Sequence, residues 1–294
     1  MYLIIGASGF LGSYIIKSIL EETKESVIAV ARNIEESTSE RVNWIKCDIS
    51  VETEVNALCE ELKKKETTYN VIYLAAYHHP DLVAKNPKIA WDVNITALAR
   101  FLNCMEDVRC FFYSSTDTVY GNGSTDVHFK ETDVVDPVNL YGKHKVLAEQ
   151  LVTGYGYNVV RYPFLIAPSL VKSKKHFYDQ ILETIEKGDT MEMFADSYRS
   201  TLDFGTAASL LVKSIEQYTK DFPKIVNIAG DDDLSKYDVG CMIAKKHGIS
   251  TDLVKPISMA GSQGIFGVKR AQSALMDNTK VKEALGLAEI KINL

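Results

Sequence analysis

The chain lacks the features of membrane proteins and of proteins that bind nucleic acid. No apolar stretch approaches the ~18 residues that a membrane span needs, and no basic region precedes the short apolar run at the N-terminus. The longest basic tract is Lys63-Lys64-Lys65 and the formal net charge is -6, which disfavours a surface for nucleic acid or anionic lipid. We therefore expect a cytoplasmic protein that holds any anionic ligand at a local site.

Cysteine is also scarce. The five cysteines are an odd number, without a Cys-x-x-Cys pair or nearby histidines, so they support neither a disulfide framework nor a zinc site. Buried free thiols are the expectation. The cysteines are Cys47, Cys59, Cys104, Cys110 and Cys241. The run Asp231-Asp232-Asp233 could suggest a metal, but a solvated turn before a helix is favoured, and we expect no metal site.

Short β-rich runs alternate with helical patterns over residues 1–162. The predicted strands are 2–5, 27–31, 42–47, 71–75, 108–114 and 158–162, and the predicted helices are 10–22, 51–65, 90–105 and 140–152. This alternation predicts an α/β fold with a doubly wound parallel sheet. Ligands of such sheets bind beyond the carboxyl ends of the strands, where the strand order reverses. The informative residues are therefore those that follow each strand.

A glycine-rich turn follows the first predicted strand and opens the first predicted helix. Gly6 permits the tight turn, Gly9 lets the backbone approach a pyrophosphate, and Gly12 lets the helix pack close to the strand. The spacing is Gly-x-x-Gly-x-x-Gly, which a turn without a ligand also shows, but its place between strand and helix favours dinucleotide binding. A phosphate would lie on the free amides at the helix N-terminus. The predicted cofactor contacts here are Gly6, Ala7, Ser8, Gly9, Phe10, Leu11 and Gly12.

The residues after the second and third strands bear on the choice of cofactor. Proteins that prefer NAD usually place a carboxylate after the second strand to hold the adenosine ribose, whereas this chain has Arg32. The planar guanidinium of Arg32 could bind the 2′-phosphate of NADP, which makes NADP the favoured cofactor. Arg32 could also simply lie in solvent, so NAD stays possible. Asp48, followed by Ile49, could meet the adenine amino group, cap the next helix, or do both.

The fourth strand leads into small and aromatic side chains. Leu74, Ala75 and Ala76 offer a surface on which a flat cofactor ring could lie. His78 and His79 follow; because neighbours on an extended segment point in opposite directions, they do not suggest a chelating pair. For His78, contact with a substrate and a plain loop position are equally open.

A tyrosine and a lysine lie one turn apart on the helix that opens near residue 140. Tyr141 and Lys145 share one helix face, and an ammonium near the phenol would lower the phenol pKa. Thr116 and Asp117 follow the fifth strand, where a hydroxyl can donate to a carbonyl oxygen or satisfy a turn. With hydride from a nicotinamide, proton transfer from Tyr141 would reduce a ketone. Lys145 could also hold the nicotinamide ribose.

Together these motifs resemble the extended short-chain dehydrogenase/reductase superfamily, of the NAD-dependent epimerase/dehydratase type. The matching stretches are the glycine turn, Asp48, 90–94, 114–121 and the Tyr141/Lys145 pair. The resemblance implies an NAD(P)-binding Rossmann domain over 1–162. It also implies a smaller C-terminal α/β substrate lobe over 163–294, with about 205–230 returning to the first domain. Nucleotide sugars are the substrates that it implies, and a homodimer stays open.

Within the superfamily the chain looks most like dTDP-4-dehydrorhamnose reductases, with Ala271 and Met276 in place of the expected proline and leucine of their C-terminal signature. Dehydratases would need a glutamate where Thr118 stands. We therefore expect an NADP-dependent reductase of a 4-keto sugar nucleotide. An NAD-dependent epimerase and a non-catalytic, cofactor-binding regulatory subunit remain alternatives. Arg199 resembles the arginine with which epimerases grip a diphosphate, and an ordinary surface arginine is the equally open alternative.

Overall fold

A computed structural model describes residues 1–34, 39–65, 67–259 and 266–294. Its centre is a seven-stranded sheet in which every pair of neighbours is parallel, in the order β3-β2-β1-β4-β5-β7-β12. The strands are β1 (Tyr2–Ile5), β2 (Val27–Ala31), β3 (Val42–Lys46), β4 (Tyr69–Tyr73), β5 (Val108–Thr116), β6 (His128–Phe129), β7 (Asn158–Tyr162), β8 (Leu165–Ile166), β9 (Met191–Phe194), β10 (Tyr198–Arg199), β11 (Leu202–Asp203), β12 (Ile225–Asn227), β13 (Leu234–Ser235), β14 (Val254–Ile257) and β15 (Ser273–Met276).

Helices cover both faces of this sheet. They are α1 (Phe10–Glu22), α2 (Glu52–Lys63), α3 (Pro80–Lys85), α4 (Pro87–Trp91), α5 (Ala97–Cys104), α6 (Leu140–Gly154), α7 (Phe177–Glu186), α8 (Phe204–Glu216), α9 (Lys236–Lys246) and α10 (Thr279–Leu285). A π-helical turn, Asp92–Thr96, joins α4 to α5, and a 3₁₀ turn, Asp117–Val119, follows β5.

The strands are buried on both sides because successive side chains point to opposite faces. Ile4 and Phe112 pack into a core beneath α1 and α8, whereas Leu3 and Phe111 pack into a second core beneath α2, α5 and α6. The predicted fold class, a Rossmann-type doubly wound parallel sheet, is confirmed. The strand order reverses between β1 and β4, so the predicted ligand edge lies at the carboxyl ends of these strands.

The second half of the chain does not form a separate sheet domain throughout. α8 packs against α1, and β12 pairs with β7 as the last strand of the main sheet, which places 205–230 on the first domain. The C-terminal segment also returns, because Val281 and Ile290 are buried in the core beneath α1 and α8. Conversely, β6 from the first half of the chain joins a small four-stranded sheet of the second half, where it pairs with β15. The domain boundary at residue 162 stays a prediction.

The expectation of free thiols is wrong for two cysteines. Cys59 on α2 and Cys104 on α5 form a disulfide, since these neighbouring helices bring the two Cα atoms to 6.1 Å. The 45-residue separation between them gave no signal in the sequence. Cys47 and Cys110 are buried free thiols, and Cys241 is partly exposed.

The acidic run 231–233 joins separate segments instead of standing in solvent. Asp231 pairs with Lys282 at 2.5 Å, and Asp232 with Lys291 at 3.2 Å. Asp233 accepts a hydrogen bond from the Ser200 hydroxyl.

Within the described ranges, no helix is long and apolar enough to cross a membrane.

Candidate active site

A cleft of about 670 Å³ lies at the carboxyl ends of β1, β4 and β5. Neighbouring parallel strands end at the same edge of a sheet, so residues far apart in sequence meet there. The predicted site residues that line the cleft are Gly6, Gly9, Phe10, Leu11, Gly12, Leu74, His78, Thr116, Asp117, Tyr141 and Arg199. The predicted residues outside this lining are Ala7, Ser8, Arg32, Asp48, Ile49, Ala75, Ala76 and Lys145.

The glycine turn has the geometry that a bound pyrophosphate needs. Gly6 has a φ of +89°, and a Cβ there would lie 2.7 Å from the backbone nitrogen of Ala75. A Cβ at Gly12 would lie 2.4 Å from the carbonyl oxygen of Ala7, so only glycine allows α1 to pack this close to the turn. Gly9 is the N-cap of α1, without a side-chain cap, and a Cβ there would meet nothing closer than 3.4 Å. The first amides of α1 are thus open to an anion.

Local packing fixes Tyr141 and Lys145 relative to β5. Asn139 caps α6 by accepting a hydrogen bond from the backbone nitrogen of Gly142 at 3.0 Å, which places Tyr141 in the first turn. One turn later, Lys145 is 3% exposed, and its ammonium donates to the carbonyl oxygen of Ser114 at 2.7 Å. Tyr141 therefore lines the cleft, while Lys145 lies beneath it.

The hydroxyl of Thr116 is already engaged by neighbours. It donates to Asp117 at 2.9 Å and accepts from the backbone nitrogen and the hydroxyl of Thr118, both at 3.3 Å. A hydroxyl has a single proton, so Thr116 must release Asp117 before it can donate to a substrate oxygen. Thr118 also lines the cleft, but the proton of its hydroxyl is likewise engaged, by Thr116.

Burial sets the pKa of each group in this pair. It raises the pKa of the Tyr141 phenol, and the Asp117 carboxylate adds to the rise. It also lowers the pKa of Lys145 to about 7, although the charge of Glu149 opposes this. The expectation that Lys145 lowers the phenol pKa is therefore wrong for this arrangement: the ammonium points to Ser114, and its nitrogen is 5.9 Å from the centre of the Tyr141 ring. Tyr141 keeps its proton at neutral pH, as a proton donor must.

A family model described as the RmlD substrate binding domain matches residues 1–291. The chain belongs to this family. The match confirms the resemblance inferred from the motifs. Methionine adenosyltransferase 2 subunit beta from two organisms is 24% identical to this chain over the aligned residues. One alignment covers 74% of this chain and 65% of the Pongo abelii protein, and the other covers 98% of this chain and 83% of the Rattus norvegicus protein.

Two further similarities cover nearly the whole chain. A probable low-salt glycan biosynthesis reductase of Haloferax volcanii is 25% identical over 97% of this chain and 92% of that protein. The crystal structure of a dTDP-4-dehydrorhamnose reductase from Bacillus anthracis in complex with NADP has a TM-score of 0.79 at 18% identity, covering 99% of this chain and 94% of that one. At this identity the likeness shows the fold.

In this member of the RmlD substrate binding domain family, Arg199 does not have a free guanidinium. Its Nε pairs with Asp117 at 3.0 Å, while its two terminal nitrogens donate to the carbonyl oxygens of Tyr198, Ala271 and Gln272. These bonds use four of the five N–H donors of the guanidinium, which leaves few for a diphosphate. The geometry thus disfavours the predicted diphosphate contact and makes Arg199 the partner that holds the buried Asp117 in place.

Arg32 and Asp48 lie together beyond β2 and β3. Arg32 is exposed. Burial alone would raise the pKa of Asp48, but hydrogen bonds from Ser50 and the charge of Arg32 outweigh burial and lower it. Asp48 does not cap α2, whose N-cap is Val51 without a side-chain bond. Ile49 is a core residue, 7% exposed, and its contact with the cofactor stays a prediction.

The segment after β4 is held by an asparagine that the site prediction omitted. Asn94, 3% exposed, accepts from the backbone nitrogen of Tyr77 at 2.7 Å and donates to its carbonyl oxygen at 3.1 Å. This positions the neighbouring His78 in the cleft, where burial and the charge of Lys145 lower the pKa of its ring. Ala75 packs closely against Gly6, and its contact with the cofactor stays a prediction.

The C-terminal half supplies cleft residues that were not among the predicted site residues. Lys174, His176, Lys236, Phe266 and Arg270 all line the cleft. The ammonium of Lys174 donates to the carbonyl oxygen of Ser8 at 2.9 Å, which places a cation beside the glycine turn. A lone lysine in a loop has no periodic signal, so only the fold could place these side chains.

The low pKa of Lys145 predicts a pH-dependent effect on stability. The pKa of a lysine in the unfolded chain is near 10.4, whereas that of the buried Lys145 is about 7. Below pH 7 the folded protein must bury a charged ammonium, which lowers the free energy of unfolding. This penalty becomes smaller between pH 7 and about pH 10, where Lys145 is neutral in the folded protein. We expect Lys145→Met to be more favourable, relative to wild type, at about pH 6 than at about pH 9. Urea unfolding at both pH values measures this. Lys143→Met, exposed on the same helix, should show no such trend, and an equal difference at both pH values would contradict the prediction.

Proposed function

We propose that this chain is an NADP-dependent reductase of a 4-keto sugar nucleotide, of the dTDP-4-dehydrorhamnose reductase type. The observation that carries the proposal is that Tyr141 and Thr116 line the same cleft as the open N-terminus of α1, with Lys145 buried below. A probable low-salt glycan biosynthesis reductase of Haloferax volcanii is similar to this chain along 97% of its length, and the similar Bacillus anthracis structure is a complex with NADP.

The residues present fit a dinucleotide. The glycine turn and the first amides of α1 would hold the pyrophosphate, and Lys174 lies close enough to Ser8 to add a positive charge. Arg32 would face the 2′-phosphate, with its planar guanidinium matching two phosphate oxygens. When bound, NADPH supplies hydride to the carbonyl carbon of the substrate.

The chain's own groups handle the proton and the orientation. The Tyr141 phenol donates its proton to the carbonyl oxygen, so that hydride and proton together convert a ketone to an alcohol. Thr116 and Thr118 line the same cleft, and the Thr116 hydroxyl would orient that oxygen once it releases Asp117. Lys145, held by Ser114, would contact the nicotinamide ribose from below.

Other chemistries have less support. The acid pair of a dehydratase would need a glutamate where Thr118 stands, and the neighbouring Asp117 is tied to Arg199. An NAD-dependent epimerase is a weaker candidate because no carboxylate directly follows β2.

A cofactor-binding subunit without turnover is the second candidate, favoured by the match to methionine adenosyltransferase 2 subunit beta along 98% of the chain. A homodimer and a cytoplasmic location stay predictions.

One screen tests the function. Purified protein is incubated with NADPH and a panel of 4-keto-6-deoxy dTDP- and UDP-sugars, and loss of NADPH absorbance is followed. We expect oxidation with at least one of them. NADPH binding without oxidation of any substrate would favour the non-catalytic subunit. Formation of a 4-keto-6-deoxy product from dTDP-glucose without added reductant would show a dehydratase instead.

The preference for NADP depends on Arg32. We expect Arg32→Ala to weaken NADPH binding by about tenfold while NADH binding stays unchanged, because only NADPH carries the 2′-phosphate that a charged donor would hold. Titration of both cofactors measures the selectivity. Arg100→Ala, which removes an arginine paired with Glu52 outside the cleft lining, is the control. Tighter NADH binding by the wild type, or unchanged selectivity in Arg32→Ala, would refute the phosphate role.

A further inference from the structure

One disulfide joins two helices that cover the same face of the main sheet. Cys59 lies in α2 and Cys104 is the last residue of α5, and both helices pack into the core that contains Leu3 and Phe111. In a cytoplasm, where we expect this protein, most cysteines are kept reduced, and the disulfides that do form are usually catalytic or redox-sensing. Neither cysteine is among the lining residues of the cleft, so its position favours the redox-sensing role.

The surroundings of the two cysteines suit reversible reduction. Cys104 is partly exposed, whereas Cys59 is 2% exposed. A small thiol can therefore approach the disulfide from the side of Cys104. Apolar side chains of both helices, Leu58 and Phe101 among them, are buried in the shared core, so reduction would loosen the pair of helices without unfolding it.

The first turn of α2 holds the loop where the adenosine end of the cofactor is expected. The backbone nitrogen of Asp48 donates to the carboxylate of Glu54 at 2.7 Å, and the charge of Arg32 lowers the pKa of Asp48. This turn is also tied to α5, because Glu52 pairs with Arg100 at 3.1 Å, but Glu52 is exposed and such pairs contribute little. The disulfide adds the covalent link that fixes α2 relative to α5.

The N-terminal end of α5 leads to another part of the ligand edge. The helix directly follows the π-helical turn that contains Asn94, which bonds both backbone groups of Tyr77. Tyr77 precedes His78, which lines the cleft. The disulfide thus joins two helices that support separate parts of the ligand edge, the loop at Asp48 and the segment at His78. A movement of α2 relative to α5 moves one of these parts relative to the other.

We propose that Cys59 and Cys104 form a reversible thiol–disulfide modification site that sets the affinity of this chain for its dinucleotide. The co-reactant is a low-molecular-weight disulfide. Its sulfur–sulfur bond breaks as it takes up two electrons and two protons and becomes two thiols, while the two cysteine thiols lose these electrons and protons and form one bond. The oxidised form fixes α2, and with it Asp48, in the binding position, and such preorganisation increases affinity. The proposal rests on the dinucleotide binding of the proposed function and not on turnover.

Titration of the oxidised and the reduced protein with NADP⁺ tests the proposal. Wild type is treated with glutathione disulfide or with a phosphine reductant, and free thiols are counted by alkylation and mass spectrometry. We expect three free thiols in the oxidised sample and all five cysteines free in the reduced one. Reduction should weaken NADP⁺ binding by about fivefold, the lower end of the usual coupling between two sites.

The coupling must also act in the opposite direction. Because coupling free energies are reciprocal, saturating NADP⁺ should raise the ratio of disulfide to dithiol by the same factor of about five. Equilibration of the protein in a glutathione buffer with and without NADP⁺, followed by the thiol count, measures this ratio. The readout needs no sugar substrate and no turnover.

Two variants assign the effect to this pair of cysteines. Cys104→Ala cannot form the disulfide, so it should bind NADP⁺ like reduced wild type under oxidising and reducing conditions alike. Cys241→Ala removes a partly exposed free thiol instead and should keep the full response of wild type. If Cys104→Ala did not fold, the comparison of oxidised with reduced wild type would decide the question by itself.

Several results would overturn the modification site. They are five free thiols after oxidation, equal NADP⁺ affinity of the two forms of wild type, and a response to oxidation that persists in Cys104→Ala. Failure of the proposed function is a different result. A protein whose NADP⁺ affinity follows the state of the Cys59–Cys104 pair but which reduces no sugar nucleotide keeps the modification site and loses the reductase activity. Conversely, a reductase whose KM for NADPH is the same in both forms keeps the activity and loses the modification site.

Discussion

Replacing Tyr141 with phenylalanine is expected to lower turnover by about 10²- to 10⁴-fold, the usual contribution of a positioned proton donor. The phenyl ring preserves the packing at the start of α6 and removes only the acidic proton. Cofactor binding should therefore stay close to that of wild type. Steady-state NADPH oxidation with the substrate found in the screen, together with NADPH titration, measures both effects.

The control for this variant is Tyr155→Phe. Tyr155 immediately follows α6, is 48% exposed and does not line the cleft, so its loss should leave turnover unchanged. If Tyr141→Phe retained more than about a tenth of the activity, the loss would be smaller than the lower end of this range, and Tyr141 would not be the acid. The next groups to test would then be His78, which lines the cleft, and its neighbour His79.

Breaking the buried ion pair between Arg161 and Glu149 is expected to give the largest loss of stability. Both side chains are at most 5% exposed, and two hydrogen bonds, of 2.6 and 3.0 Å, join them. Glu149 also accepts from Ser115 on β5, and Arg161 donates to Tyr120. Arg161→Met would leave an unpaired carboxylate in the core, at a cost of about 3–5 kcal/mol in the free energy of unfolding.

A double variant separates loss of the pair from loss of packing. Arg161→Met combined with Glu149→Leu removes both charges and should recover most of the loss, because a well-packed apolar pair often replaces a buried ion pair without cost. Lys175→Met, which breaks the exposed pair with Glu183, should change the free energy of unfolding by less than about 1 kcal/mol. Urea unfolding of all four proteins tests this. A loss below about 1 kcal/mol in Arg161→Met would show that the pair is not important for stability.

Elements with strong local signals were predicted well. β1, α1 and β2 begin and end at the predicted residues, because apolar runs and the intervening glycine turn fix them locally. The helix predicted over 90–105 is instead a short α4, a π-helical turn and α5, and β4 begins two residues before its predicted start. The π turn contains Asn94, whose contacts with Tyr77 come from a separate segment that no local pattern reports.

The sequence alone determined the alternation of strands and helices that defines the fold class, the glycine turn, and the placement of Tyr141 and Lys145 one turn apart on α6. Each of these depends on local runs of residues and not on contacts between distant segments. Only the tertiary structure decided what those residues contact. Arg199 on β10 meets Asp117, which follows β5, and Lys236 lines the cleft because α9 begins there. The pKa of Tyr141 also depends on the tertiary structure. The spacing of Tyr141 and Lys145 predicts a nearby ammonium that would lower this pKa, but burial, a property of the whole fold, raises it.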